Sequence, residues 1–89
     1  MPTISMFYGL VIYLYNLDDK QHKCPHIHVK YQGEYCSISI PDCKILSGNL
    51  PSKKLSLIKA WMIIHEEELM ANWDIAVNGE TPYKIEPLK

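Results

Sequence analysis

The chain has 89 residues, 47% of them hydrophobic, and a formal net charge of −1 with histidine neutral. Hydrophobicity at that level excludes a disordered chain, and the length fits one domain, 1–89, with a modest core. The near-zero charge excludes a global electrostatic pull toward nucleic acid.

The opening MPTISMFYGLVIYLY is apolar. It lacks the basic start and small-residue cleavage site of a signal peptide, and its apolar run is too short to span a bilayer. A cytoplasmic protein without membrane contact is expected. Cys24, Cys36 and Cys43 are odd in number and form no CxxC pair, so neither a disulfide framework nor a zinc knuckle is proposed.

Residues 1–48 read as strand-rich. Over 9–15, Leu10, Ile12 and Leu14 alternate with Val11, Tyr13 and Tyr15, which describes a strand covered to some extent on both faces. The stretch NLDDKQHKC that follows is polar and turn-rich, a connection. Residues 26–31 and 34–40 then form a hairpin around Gln32-Gly33. With those two as the loop, Tyr31 faces Glu34, Val29 faces Cys36 and Ile27 faces Ile38. One face is then Ile27, Val29, Tyr31, Cys36 and Ile38, and the other His26, His28, Lys30, Tyr35, Ser37 and Ser39. A one-residue slip would turn the histidines into the core, so this register is favoured.

Pro41-Asp42 marks another turn, with a short strand near 44–47. From about 52 to 74 the apolar residues Leu55, Ile58, Met62, Leu69 and Trp73 fall on one helical stripe, which predicts a single long helix. Lys53 and Lys54 sit in its first turn and Glu66, Glu67 and Glu68 toward its end, against the helix dipole. That arrangement is either incidental or the rim of a small anion site at the helix N-terminus. Asn78-Gly79 is a turn signal, and a last short strand is expected at about 83–86. The fold class that follows is α+β, a small antiparallel sheet of four to five strands packed on one long helix.

Chemistry concentrates in CPHIHVKY. His26 and His28 leave one strand face roughly 7 Å apart, a usable spacing for two metal ligands, with His22 the nearest third candidate. A zinc site needs three or four ligands, and no standard metal motif is present. Acid–base chemistry is the second reading: histidines beside Lys30, Tyr35 and Ser37 resemble what a small nuclease uses to move protons and hold a phosphate. A recognition face is the third, because the neighbouring strand adds aromatic residues such as Tyr13 and Tyr15 to the histidines and lysine. His65 lies inside the apolar arc of the helix and reads first as a packed, hydrogen-bonded histidine. No cofactor is implied. Nucleic-acid binding has weak support, since Asp18 and Asp19 offset Lys20 and Lys23.

The motifs MPTI..F.G..I, PHIHV with Tyr31 and Gly33, GNLP before the helix, AW.IIHEEEL.ANW and P.KIEPL together resemble the domain of unknown function 4160 family, small bacterial proteins, over nearly the whole chain. The resemblance implies a compact α+β protein of unestablished biochemistry, often encoded beside another small protein in a toxin–antitoxin-like arrangement. The family pattern falls on Pro25, His26, His28, Gly48, Pro51, Trp61, His65, Glu68, Leu69, Asn72, Trp73, Ile85 and Pro87. Of these, His26, His28, Glu68 and Asn72 are polar residues that core packing does not call for.

The function expected from these readings is protein–protein interaction within a toxin–antitoxin-like pair. Its binding face would be Tyr13, Tyr15, His26, His28, Lys30, Tyr35 and Ser37, and its partner a small protein. The alternatives are a histidine-dependent hydrolase or nuclease acting on a phosphodiester, with His26, His28, Lys30, Tyr35, His65 and Glu68 as candidates, and a structural homodimer.

Overall fold

Two tight turns organise the first half of the protein. Tyr8 and Gly9 (φ 49° and 80°), and again Gln32 and Gly33 (φ 47° and 83°), are left-handed at both loop positions. That is the turn geometry whose twist matches the strands on either side. The computed structural model describes residues 3–14, 25–40 and 42–88. In it these turns join β1 (Thr3–Phe7) to β2 (Leu10–Tyr13) and β3 (His26–Tyr31) to β4 (Glu34–Ser39). With β5 (Ile45–Gly48) they make an antiparallel five-stranded sheet in the order β1-β2-β3-β4-β5.

The β3–β4 register is Tyr31 to Glu34, Val29 to Cys36 and Ile27 to Ile38, the pairing expected from the Gln32-Gly33 turn. One face of the sheet therefore carries Ile12, Ile27, Val29, Cys36 and Ile38, all buried. β5 closes against β4 through Gly48 (φ 76°), where any Cβ would collide with the carbonyl oxygen of Tyr35. Only glycine fits that close approach.

The single long helix is not what forms. Two helices pack against the sheet, α1 (Ser52–Ile64) and α2 (Glu66–Val77). His65 breaks the run with φ −109° and ψ 25°, outside helical values. The bond from His65 N–H to the Trp61 carbonyl (3.0 Å) closes α1, and the bond from Leu69 N–H to the His65 carbonyl (2.9 Å) opens α2. The buried spacing continues on both sides of it: Ile58, Trp61 and Met62 are buried on α1, and Leu69, Asn72, Trp73 and Ala76 on α2. A stripe that continues across the junction reads as one helix in sequence. Two features favour the interruption. Ile63-Ile64 is a β-branched pair with reduced helix propensity. Restarting at Glu66 also places three glutamates in a first turn, where the N-terminal partial charge stabilises them. The acidic charges that opposed the dipole of one helix thus agree with that of the second.

α2 ends in a Schellman closure, with Gly79 N–H bonded to the Ala76 carbonyl (3.0 Å) and Glu80 N–H to the Ile75 carbonyl (3.1 Å). The tail that follows forms no strand at 83–86. It is held instead by three separate anchors. The buried Asn72 side chain donates to the Tyr83 carbonyl (2.7 Å) and accepts from the Tyr83 N–H (3.0 Å). The Trp61 indole donates to the Glu86 carbonyl (2.7 Å), and Ile85 N–H donates to the Ile4 carbonyl of β1 (2.7 Å). Asn72 is thereby a structural residue: it supplies to the tail the two hydrogen bonds a neighbouring strand would have supplied. Among the described residues no helix is long and apolar enough to cross a membrane.

Candidate functional site

Strand pairing arranges the face that carries His28 into three cross-strand rows. The first, at the turn end, is Met6–Val11–Lys30–Tyr35. Met6 is 64% and Tyr35 56% exposed. Lys30 is also exposed, with its Nζ 5.6 Å from the centre of the Tyr35 ring, within cation–π range. The second row is Thr3–Tyr13–His28–Ser37–Ser47. Tyr13 stacks on His28 with ring centres 5.5 Å apart and planes 14° from parallel, and Ser37 Oγ lies 3.3 Å from His28 Nδ1. Tyr13 and Ser37 are buried and His28 is half-buried. The third row is His26–Ser39. His26 is 0% exposed, its ring 4.9 Å from Trp73 of α2 and 5.0 Å from His28.

The expected binding face therefore divides. Lys30 and Tyr35 are exposed, while Tyr13, His26 and Ser37 are enclosed. Tyr15 and His22 lie outside the described residues. His65 and Glu68 do not join the strand histidines. His65 Nδ1 pairs with Glu68 Oε1 at 2.6 Å across the first turn of α2, and its ring rests 5.5 Å from that of Trp61. Their contact links the residue at the helix break to the restarted helix.

Met6 and Val11 belong to the exposed row but were not among the binding residues expected from sequence. The missing step was β1, whose pairing sets the row. The signal was present: Tyr8-Gly9 has the same residue-then-glycine form as Gln32-Gly33.

Two clefts of about 320 and 460 Å³ lie away from the strand histidines His26 and His28. The smaller surrounds the break between Ile63 and Glu68, and the larger runs between β1, Glu68 and the tail from Lys84 to Pro87. Among the described residues no three His, Cys, Asp or Glu side chains come together in a group able to hold a metal. Burial pushes the Cys36 thiol above its ordinary range. It does the same at Cys43, where Lys59 pulls partly the other way and Glu66 and Asp42 add to the rise. Thiols held protonated in this way are poor nucleophiles.

Comparison with curated proteins and with solved structures returns no match. A family model does match, over residues 9–74, the span from the first turn through the strand histidines and α1 to Asp74, within α2. The chain belongs to the family described as Domain of unknown function (DUF4160).

Proposed function

We propose that this chain works by protein–protein contact, as one half of a toxin–antitoxin-like pair, and that it meets its partner with the turn end of the sheet. The observation that carries the reading is the row Met6–Val11–Lys30–Tyr35. A thioether, a branched aliphatic, a cation and an aromatic ring stand side by side across four strands, and the two ends of the row are more than half exposed. Methionine and tyrosine are enriched at interface cores, and a lysine braced on an aromatic ring can anchor a partner carboxylate. The Tyr13–His28–Ser37 row behind it, buried at Tyr13 and Ser37, holds the face rigid, which lowers the entropy lost on docking.

The test is capture of the tagged chain from its own cells at native expression, in parallel with the Met6→Ser/Tyr35→Ala variant. One small protein recovered in near-equal amount with the unchanged chain, and lost with a variant of unaltered melting temperature, is the expected result. Equal recovery by both forms overturns the assignment of the face.

A hydrolase or nuclease reading draws on a different contact, Ser37 Oγ against His28 Nδ1, the beginning of a nucleophile–base pair. Ser37 is buried and neither cleft borders it, which favours the binding reading. RNA cleavage that disappears in both Ser37→Ala and His28→Ala would reverse that preference.

A further inference from the structure

β1 is an edge strand, paired on one side only, with β2. In a hairpin closed by a two-residue turn, the pair flanking the turn exchanges hydrogen bonds and the next pair does not. Phe7 and Leu10 flank the turn here, so Met6, opposite Val11, directs its backbone N–H and C=O away from β2 and out of the sheet. Two residues back, the Ile4 carbonyl accepts from the Ile85 N–H of the tail at 2.7 Å. Among the described residues no partner meets the two Met6 groups. The strand, TISMF, holds no charge and no proline, two of the usual guards of an open edge.

The tail does not fill this gap. Its backbone is committed to Asn72 at Tyr83, to Ile4 at Ile85 and to the Trp61 indole at Glu86, and Pro87 has no N–H to give. The cleft of about 460 Å³ runs beside it, with residues 3–6 of β1 as one wall and Glu68 and residues 84–87 as the other. Ser5 lines this cleft and is 7% exposed, and its hydroxyl is a buried polar atom without a hydrogen-bond partner. Such a group costs stability for as long as it stays unpaired. A second copy fits the edge poorly. Its β1, laid antiparallel about Met6, would bring Tyr8 onto the Ile4 edge that Ile85 already holds.

We infer that the β1 edge at Met6 takes a short extended peptide segment of the protein partner, which pairs its backbone with the Met6 N–H and C=O and lays a side chain into the cleft beside Ser5. The inference rests on the binding reading above and gives that partner a chemistry. A free donor and acceptor on one strand residue are complementary to another strand, and in such an addition the backbone supplies affinity while alternate side chains supply specificity. Ser5, opposite Ile12, faces the cleft side of the sheet, and Met6, opposite Val11, faces the side of Lys30 and Tyr35. Successive residues of the incoming segment therefore meet the cleft and the exposed row in turn.

Heptapeptides displayed on phage, selected on the full chain and then added as synthetic peptides while amide exchange is followed by NMR, test this directly. The Met6 N–H is expected to exchange faster than that of Phe7 in the free chain, and to slow at least about tenfold when peptide is bound. Met6→Pro, tolerated at an edge where the N–H points outward, should abolish binding. If the proline unsettles β1, an ester in place of the Ser5–Met6 amide removes the same donor and keeps the side chain. Carried by a synthetic 1–23 segment ligated at Cys24, it should weaken binding about fivefold to tenfold. No peptide recovered, a peptide that leaves Met6 exchange unchanged, or an ester that binds as tightly as the amide overturns the inference. So does a Met6 N–H protected in the free chain in step with concentration, which would mean that a second copy holds the edge. The face reading fails separately. It falls if capture is indifferent to Met6→Ser/Tyr35→Ala while peptide still pairs at Met6, and it stands alone if capture is lost while no peptide pairs there.

Discussion

The two ends of one sheet face make an instructive pair. At the turn end, Met6, Lys30 and Tyr35 stand in water, while four residues further along β3, His26 is fully enclosed. Strand alternation puts Lys30 and His26 on the same side, and both are polar. What differs is a second element. Trp73 of α2 lies against His26, and Tyr13 lies flat on His28 beside it, whereas Tyr35 stays more than half exposed beside the Lys30 ammonium. A single face can thus hold a rigid, packed half and an open half. In the proposed function the open half meets the partner while the packed half keeps the strands in place.

That contrast breaks most completely if its cover is removed. Trp73→Ala deletes the ring over His26 and should cost about 3–5 kcal/mol, the range for truncating a large buried aromatic, seen as a lower urea midpoint. His26→Ala takes away the enclosed side of the same contact and should cost about 2–3 kcal/mol, measured by thermal unfolding. A His26→Ala protein as stable as the original would mean that the packed end is not packed. Asn72→Ala acts one step further off, by leaving the Tyr83 backbone groups without their side-chain partners. About 1–2 kcal/mol is expected, together with faster amide exchange confined to the tail at 82–88. Tyr35→Ala belongs to the open end and should change stability by no more than about 0.5 kcal/mol while weakening partner capture. A large loss of stability there would erase the difference between the two ends.

Much of this arrangement is legible in the sequence. Glycine after Gln32 specified the turn, the turn specified the register, and the register sorted Ile27, Val29 and Cys36 from His28, Lys30 and Tyr35. The amphipathic stripe from Leu55 to Trp73 correctly marked the apolar side of the helical region. The break inside it was hidden because the buried spacing survives the junction at His65, where only the backbone angles change. Of the expected site residues, Lys30 and Tyr35 lie on the open row, but Met6 escaped notice because β1 was not separated from β2. Glu68 and Asn72 drew attention as polar residues without a packing duty. Each has a specific partner, His65 for one and the Tyr83 backbone for the other.

The sequence by itself determined the elements whose rules are local: which residues turn, which alternate, and which share a helix side. These follow from backbone geometry within a few positions along the chain. Only the tertiary structure decided that His26 is buried, that Asn72 and Trp61 hold the tail, and that the tail meets β1 at Ile4. Each of those outcomes depends on a residue far away in the chain, Trp73 over His26 or Tyr83 against Asn72. Burial is a property of what packs on top of a face, and periodicity specifies the face without naming its cover.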